Sequence, residues 1–285
     1  MHGFLAALRS ELFVARHTLG ARLVVLLPIS LVLLQYLFTR LGEAGESARD
    51  SLLGGNGFDA QLASNAWGYF VDGLTTGLTV LGLLLVAQAA YSFSADRDTG
   101  AIRHLVIRRS SRPAIVLAKL TYLHLLALCS VLVLVIGSYL LSAQFWEFGA
   151  VVEDGFELIG EAEIREEIRL GLRLALTPLP AAIAFGLLVS VSATTSTQAV
   201  VSALGLTLAL DILKSMLGTV ANYLYVSYQP SLIDQSYLQE VSRLVRGYSD
   251  VLIDDRLLQL NTWVPVPAMV LFIAASLVIV NRRSL

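Results

Sequence analysis

Lysine is nearly absent from this chain: only Lys119 and Lys214 occur, and neither follows a glycine. That excludes the phosphate-cradling GxxxxGK(S/T) loop, and with it ATP hydrolysis by that route. One cysteine, Cys129, excludes an intrachain disulfide and a cysteine metal cluster. The four histidines, His2, His17, His104 and His124, form no HExxH pair, and no GxSxG nucleophile elbow is present. His124 falls inside an apolar run, where a satisfied or lumen-facing role is expected rather than metal ligation. No catalytic residue, no metal ligand and no bound cofactor is expected, and nucleic acid is not an expected partner. Charge is also scarce, at 15% of residues against 56% hydrophobic, where soluble domains carry about 25% charged. So little polar surface cannot cover the chain in water.

What is present is long apolar runs. A bilayer core of about 30 Å needs roughly 20 residues of helix, and six candidates can be read: 23–38, 73–93, 120–141, 174–191, 200–217 and 263–280. The first is short, but Arg22 and Arg40 can snorkel from its ends. Pro178 and Pro180 are expected in the first turns of the fourth, where helices tolerate proline. Alternating ten-residue segments are missing, so helices rather than a barrel are expected to span. The first apolar run begins after 22 residues and no small-residue cleavage site follows it, so the N-terminal segment is expected to be retained. The fold class expected is all-α integral membrane, a single transmembrane domain over 1–285.

Sidedness follows from lysine and arginine near span ends. With both termini cytoplasmic, segments 1–22, 94–119, 192–199 and 281–285 hold 11 Lys/Arg in 61 residues. The outer segments, 39–72, 142–173 and 218–262, hold 8 in 111. This orientation is therefore expected, in a bacterial inner or plasma membrane. It also makes the outer face acidic, with 18 Asp/Glu against 3 inside.

Three segments outside the spans show helical stripes. Phe4, Leu5, Leu8, Leu12 and Ala15, with Arg9 and Arg16 among them, suit a cytoplasmic interfacial helix within 1–22. Ile164, Ile168 and Leu172 form a second stripe; Leu238, Val241, Leu244 and Val245 form a third, preceded by Ser231 and Asp234 as a capping box. The outer pair either roofs the membrane domain or lines an exit from it. On the fifth span, Asp211 and Lys214 stand three residues apart on one helical face. Such an intramembrane pair either lines a pathway or sits at the outer interface.

The segment 92–119 interrupts two apolar runs with eight of the chain's 42 charged residues. Asp98 or Thr99 is expected to cap a short helix starting near Gly100, with Ile102, Leu105 and Val106 as its apolar face. Arg108 to Ser111 should break it, and Pro113 should open the next helix while pushing Arg112 into extended geometry. The expected form is a stiff cytoplasmic knob.

These residues resemble the coupling loop of ABC-2-type transporter permeases, whose pattern is roughly E-x-E-x-G-T-x-x-x-L-L-x-x-P-x-S-R-x-x-I-L-x-G-K. Asp96 and Asp98 stand for the acidic pair, Gly100 for the glycine and Leu105 within the apolar pair; Ser111, Arg112, Ile115, Leu117 and Lys119 follow in register. Ala101, His104, Arg109 and Ala118 depart from the pattern. The family also resembles this chain in its six spans, its amphipathic leading helix and the short polar turn "SVSATTSTQAV". The resemblance implies two permease copies, as a homodimer, working with separate cytoplasmic ATPase subunits that hold ATP and magnesium. It further implies that Asp96, Arg97, Asp98, Thr99, Gly100 and Arg103 touch the ATPase through a coupling helix. Arg112 and Lys119 would brace the loop against headgroups or the N-terminal helix. The implied function is outward transport of a hydrophobic or amphipathic substrate. Alternatives are mechanotransmission to an extracytoplasmic partner, as in metal-site maturation, and an ATP-independent channel or carrier built around Asp211 and Lys214.

Overall fold

A backbone in lipid must satisfy its own hydrogen bonds, and the apolar runs do so as helices. The computed structural model describes residues 3–53, 65–101, 111–153, 156–231, 237–246 and 255–282. In order these are α1 (Phe4–His17), α2 (Leu19–Leu53), α3 (Ala66–Asp98), α4 (Arg112–Phe145), the hairpin β1 (Val151–Glu153) and β2 (Phe156–Ile159), and α5 (Glu161–Leu176). Then come α6 (Leu179–Ser192), α7 (Ser196–Leu213), three short 3-10 turns over 214–228, α8 (Tyr237–Val245), α9 (Asp255–Trp263) and α10 (Pro265–Arg282). Among the described residues, six helical stretches are long and apolar enough to cross a membrane: Leu19–Arg49, Ala66–Asp98, Arg112–Phe145, Glu161–Ser192, Ser196–Met216 and Asp255–Arg282.

Five of the six stretches, at 28 to 34 residues, run past their apolar cores, while Ser196–Met216 has 21. The 35 residues of α2 extend about 52 Å at 1.5 Å per residue, well beyond a core of about 30 Å. Its polar extension, from Thr39 onward, is anchored where Glu43 accepts from Tyr69 Oη at 2.5 Å and from Trp146 Nε1 at 3.2 Å. The fourth crossing is two helices, not one. Pro178 is the N-cap of α6 and Pro180 lies in its first turn, while α5 stops at Leu176. Only Pro180 thus occupies the position expected of both. Pro178 cannot donate a backbone N–H to the preceding turn, so α5 ends there. The sixth crossing breaks in the same way before Pro265.

Helix α3 is the axis of the bundle, packing on α2, α4, α6, α7 and α8. Two-thirds (67%) of its apolar window is buried, against 17% for the α9–α10 stretch, so α3 is shielded while α10 faces outward. Small residues allow α6 to cross α3 backbone to backbone: a Cβ on Gly186 of α6 would stand 2.7 Å from the Val86 carbonyl oxygen and 2.8 Å from Ala89 Cβ. Nothing but glycine fits that contact.

Polar contacts divide the molecule into two ends. Glu11, Asp96–Asp98, Arg112, Lys119, Ala193, Ser196 and Val280 gather at one. The hairpin, the extension of α2, α5 and α8 belong to the other. There, Ile164 and Ile168 of α5 and Leu238, Val241 and Val245 of α8 are buried, with Leu172 packed beside them. The hairpin was not among the expected elements.

Candidate functional site

Three consecutive residues end α3, and each reaches a different part of the chain. Successive side chains on a helix point about 100° apart, so 96, 97 and 98 fan around the axis. Asp96 Oδ2 lies 2.5 Å from Lys119 Nζ, and the same ammonium is 2.7 Å from Glu11 Oε1. Lys119 is 1% exposed, so its charge is offset by these two carboxylates rather than by water. Burial lifts the Glu11 carboxyl above its ordinary range, and the Lys119 ammonium beside it opposes that lift. One cation therefore ties α1, α3 and α4 together.

The guanidinium of Arg97 donates to the carbonyl of Ala193, in the turn between α6 and α7. Asp98 Oδ2 accepts the Ser196 backbone N–H at 2.7 Å. Ser196 is the first residue of α7, whose N-cap Thr195 accepts from Gln198 N at 3.2 Å. A carboxylate there meets one of the orphan donors and the positive end of the helix dipole. Asp98 therefore caps α7; the short helix that Asp98 or Thr99 was expected to cap lies outside the described residues. One turn earlier, Ser190 Oγ of α6 accepts from Phe93 N at 3.1 Å and Ser94 N at 3.0 Å. The last turn and a half of α3 is joined to α1, α4, α6 and α7.

Thr99 and Gly100 close α3. The Thr99 hydroxyl donates to Ala95 O at 2.9 Å. Gly100 takes φ +74, a left-handed conformation that glycine adopts without penalty, and its N–H donates to Arg97 O at 3.0 Å. Nothing lies within 4 Å of where its Cβ would be, so this corner faces open space. Arg103, like the rest of 102–110 and hence the expected short helix, lies outside the described residues. Where the chain resumes, Ser111 is extended and Arg112 already helical, with Pro113 in the first turn. The extended residue is therefore Ser111 and not Arg112, because the N-cap, one position earlier, absorbs the turn. Arg112 Nη1 approaches Val280 O at 3.5 Å, near the C-terminal end of α10.

At the opposite end, Asp211 and Lys214 meet as their spacing suggests: Lys214 Nζ is 2.7 Å from Asp211 Oδ1. Ser231 Oγ donates to Asp211 Oδ2 at 2.6 Å. That hydroxyl was expected in a capping box with Asp234, which lies outside the described residues; here it holds the chain after the 3-10 turns against α7. Thr79, Thr207 and Gln229 join Asp211 around a pocket of ≈ 20 Å³, room for about one water and for no organic molecule.

Other polar ties at this end were not singled out in sequence. Asp72 accepts from Ser242 Oγ at 2.6 Å and pairs with Arg246, and Tyr237 donates to Glu167 at 2.7 Å. Asp72 beside the second apolar run was the one signal available. His124 Nδ1 is 2.8 Å from the Leu120 carbonyl, a local contact. Among the described residues no group of three His, Cys, Asp or Glu side chains could hold a metal ion. Comparison with protein-family models, curated proteins and solved structures finds no match for this chain.

Proposed function

We propose that this multi-pass membrane protein is the permease subunit of an ABC transporter of the ABC-2 type. In this reading both termini are cytoplasmic, two copies assemble, and separate ATPase subunits carrying ATP and magnesium dock on the loop after α3. ATP hydrolysis there drives outward movement of a hydrophobic or amphipathic substrate.

One observation carries the reading: Asp96, Arg97 and Asp98 each engage a different element. A push on the loop beyond Gly100 would reach α1, α4 and α7 together instead of being absorbed by a flexible hinge. In this reading Asp96, Arg97, Asp98, Thr99, Gly100 and Arg103 meet the ATPase, and the contacts that Asp96, Arg97 and Asp98 make within the chain support relaying a push to other helices. Arg112 and Lys119 brace the loop from behind.

A second reading, mechanotransmission to an extracytoplasmic partner, draws on the acidity of the opposite end, where Glu161, Glu163, Glu166 and Glu167 crowd α5. The ≈ 20 Å³ pocket at Asp211 argues against a carrier for organic solutes centred there.

Co-expression with the ATPase encoded beside this chain tests the proposal. A stable complex with nucleotide hydrolysis is expected. Gly100→Val and Asp98→Lys together should abolish stimulated hydrolysis while membrane insertion persists. Full coupling in that double variant, or transport by this chain alone, would refute the assignment.

A further inference from the structure

A groove of ≈ 430 Å³ runs between α1, the start of α2 and the first half of α4. Leu12, Val25, Leu26 and Leu125 give it apolar walls, and Arg16 and Arg22 stand in its lining beside them. Arg22 Nη2 donates to the Arg16 carbonyl at 3.0 Å, which keeps the two cationic residues together where α1 turns into α2. Neither guanidinium has an acidic partner among the described residues, unlike those of Arg40, Arg165, Arg243 and Arg246. Both side chains are exposed.

We infer that this groove binds an anionic phospholipid, its phosphate on Arg16 and Arg22 and an acyl chain along Leu26 and Leu125. The two arginines flank the point where the first spanning helix begins, which is headgroup depth in either orientation of the chain. Cationic pockets between helices at that depth recruit anionic headgroups. A zwitterionic lipid would meet the same walls but would return no net charge to the guanidinium pair. The bound lipid would bridge α1 and α4, the helices that Glu11 and Lys119 also join. This inference goes beyond the transporter reading and does not depend on it, since lipid binding requires no ATPase.

Cys129, exposed and the sole cysteine, lines the groove and reports on it. Full-length protein in nanodiscs of phosphatidylglycerol should react with N-ethylmaleimide on the order of tenfold more slowly than in phosphatidylcholine, given two favourable charges. This arm needs no variant. Inorganic phosphate added to the phosphatidylcholine discs should leave the rate unchanged. Native mass spectrometry of detergent-purified protein should show preferential retention of phosphatidylglycerol, lost in Arg16→Gln/Arg22→Gln and kept in Arg9→Gln. Equal labelling in the two lipids would overturn the site. So would protection by phosphate alone, or loss of the preference in Arg9→Gln to the same degree.

Discussion

Lys119 Nζ stands 2.7 Å from Glu11 Oε1, across 108 residues of chain. With Asp96 on its other side, the buried ammonium is the shared partner of two acids from two helices. Taking away one member of a buried ion pair costs about 3–5 kcal/mol, because the remaining charge stays desolvated. Lys119→Met should therefore lower the apparent unfolding temperature in detergent sharply. Glu11→Gln should lower it far less, since Asp96 continues to face the ammonium. Equal, small shifts in the two variants would contradict the shared-partner arrangement.

The crossing of α6 over α3 makes a second prediction. Gly186→Val forces branched methyl groups toward the Val86 carbonyl, which as backbone cannot move aside. Overpacking of this kind costs about 1–3 kcal/mol or more. Gly45→Ala, on the extension of α2 with nothing within 4 Å, should be neutral or stabilise by about 0.5–1 kcal/mol. Thermal scans of the two variants against the parent check the ordering.

Asp211 and Lys214 invite a double-mutant cycle. Asp211→Leu removes the carboxylate that faces both Lys214 and Ser231, and Lys214→Met removes the cation. If the pair's role is structural, the double variant should recover part of the loss, with a coupling of about 0.5–3 kcal/mol. Strict additivity in melting measurements would show that the two side chains do not act as a pair.

Orientation can be read with cysteines placed in a Cys129→Ser background. Gly45 and Thr197 are both exposed and lie at opposite ends of the bundle. Gly45→Cys should label with a membrane-impermeant maleimide in intact cells, and Thr197→Cys only after permeabilisation. The reverse pattern would put the loop after α3 out of reach of a cytoplasmic ATPase.

Some of this architecture is legible from local spacing. The Asp211–Lys214 contact could be read because residues three apart on a helix share a face. The stripe Ile164, Ile168 and Leu172 marked α5, and Pro113 marked the start of α4, for equally local reasons. The hairpin at 151–159 escaped notice because strands of three and four residues carry too few alternations to stand out from a loop. Asp98 or Thr99, and Ser231 with Asp234, read as caps through segments outside the described residues; the bonds of Asp98 to Ser196 and of Ser231 to Asp211 join distant elements, which no local spacing reports.

The sequence by itself determined that this chain carries six apolar helical runs able to cross a membrane. Such runs have no other way to satisfy their backbone in hydrocarbon, and that constraint acts on each run separately. Only the tertiary structure decided which charges meet. Glu11 with Lys119, Arg97 with Ala193, Asp98 with Ser196 and Asp72 with Arg246 are all partners from different elements. No periodicity within one helix specifies its rotation against another; the packing of small residues such as Gly186 around α3 sets it.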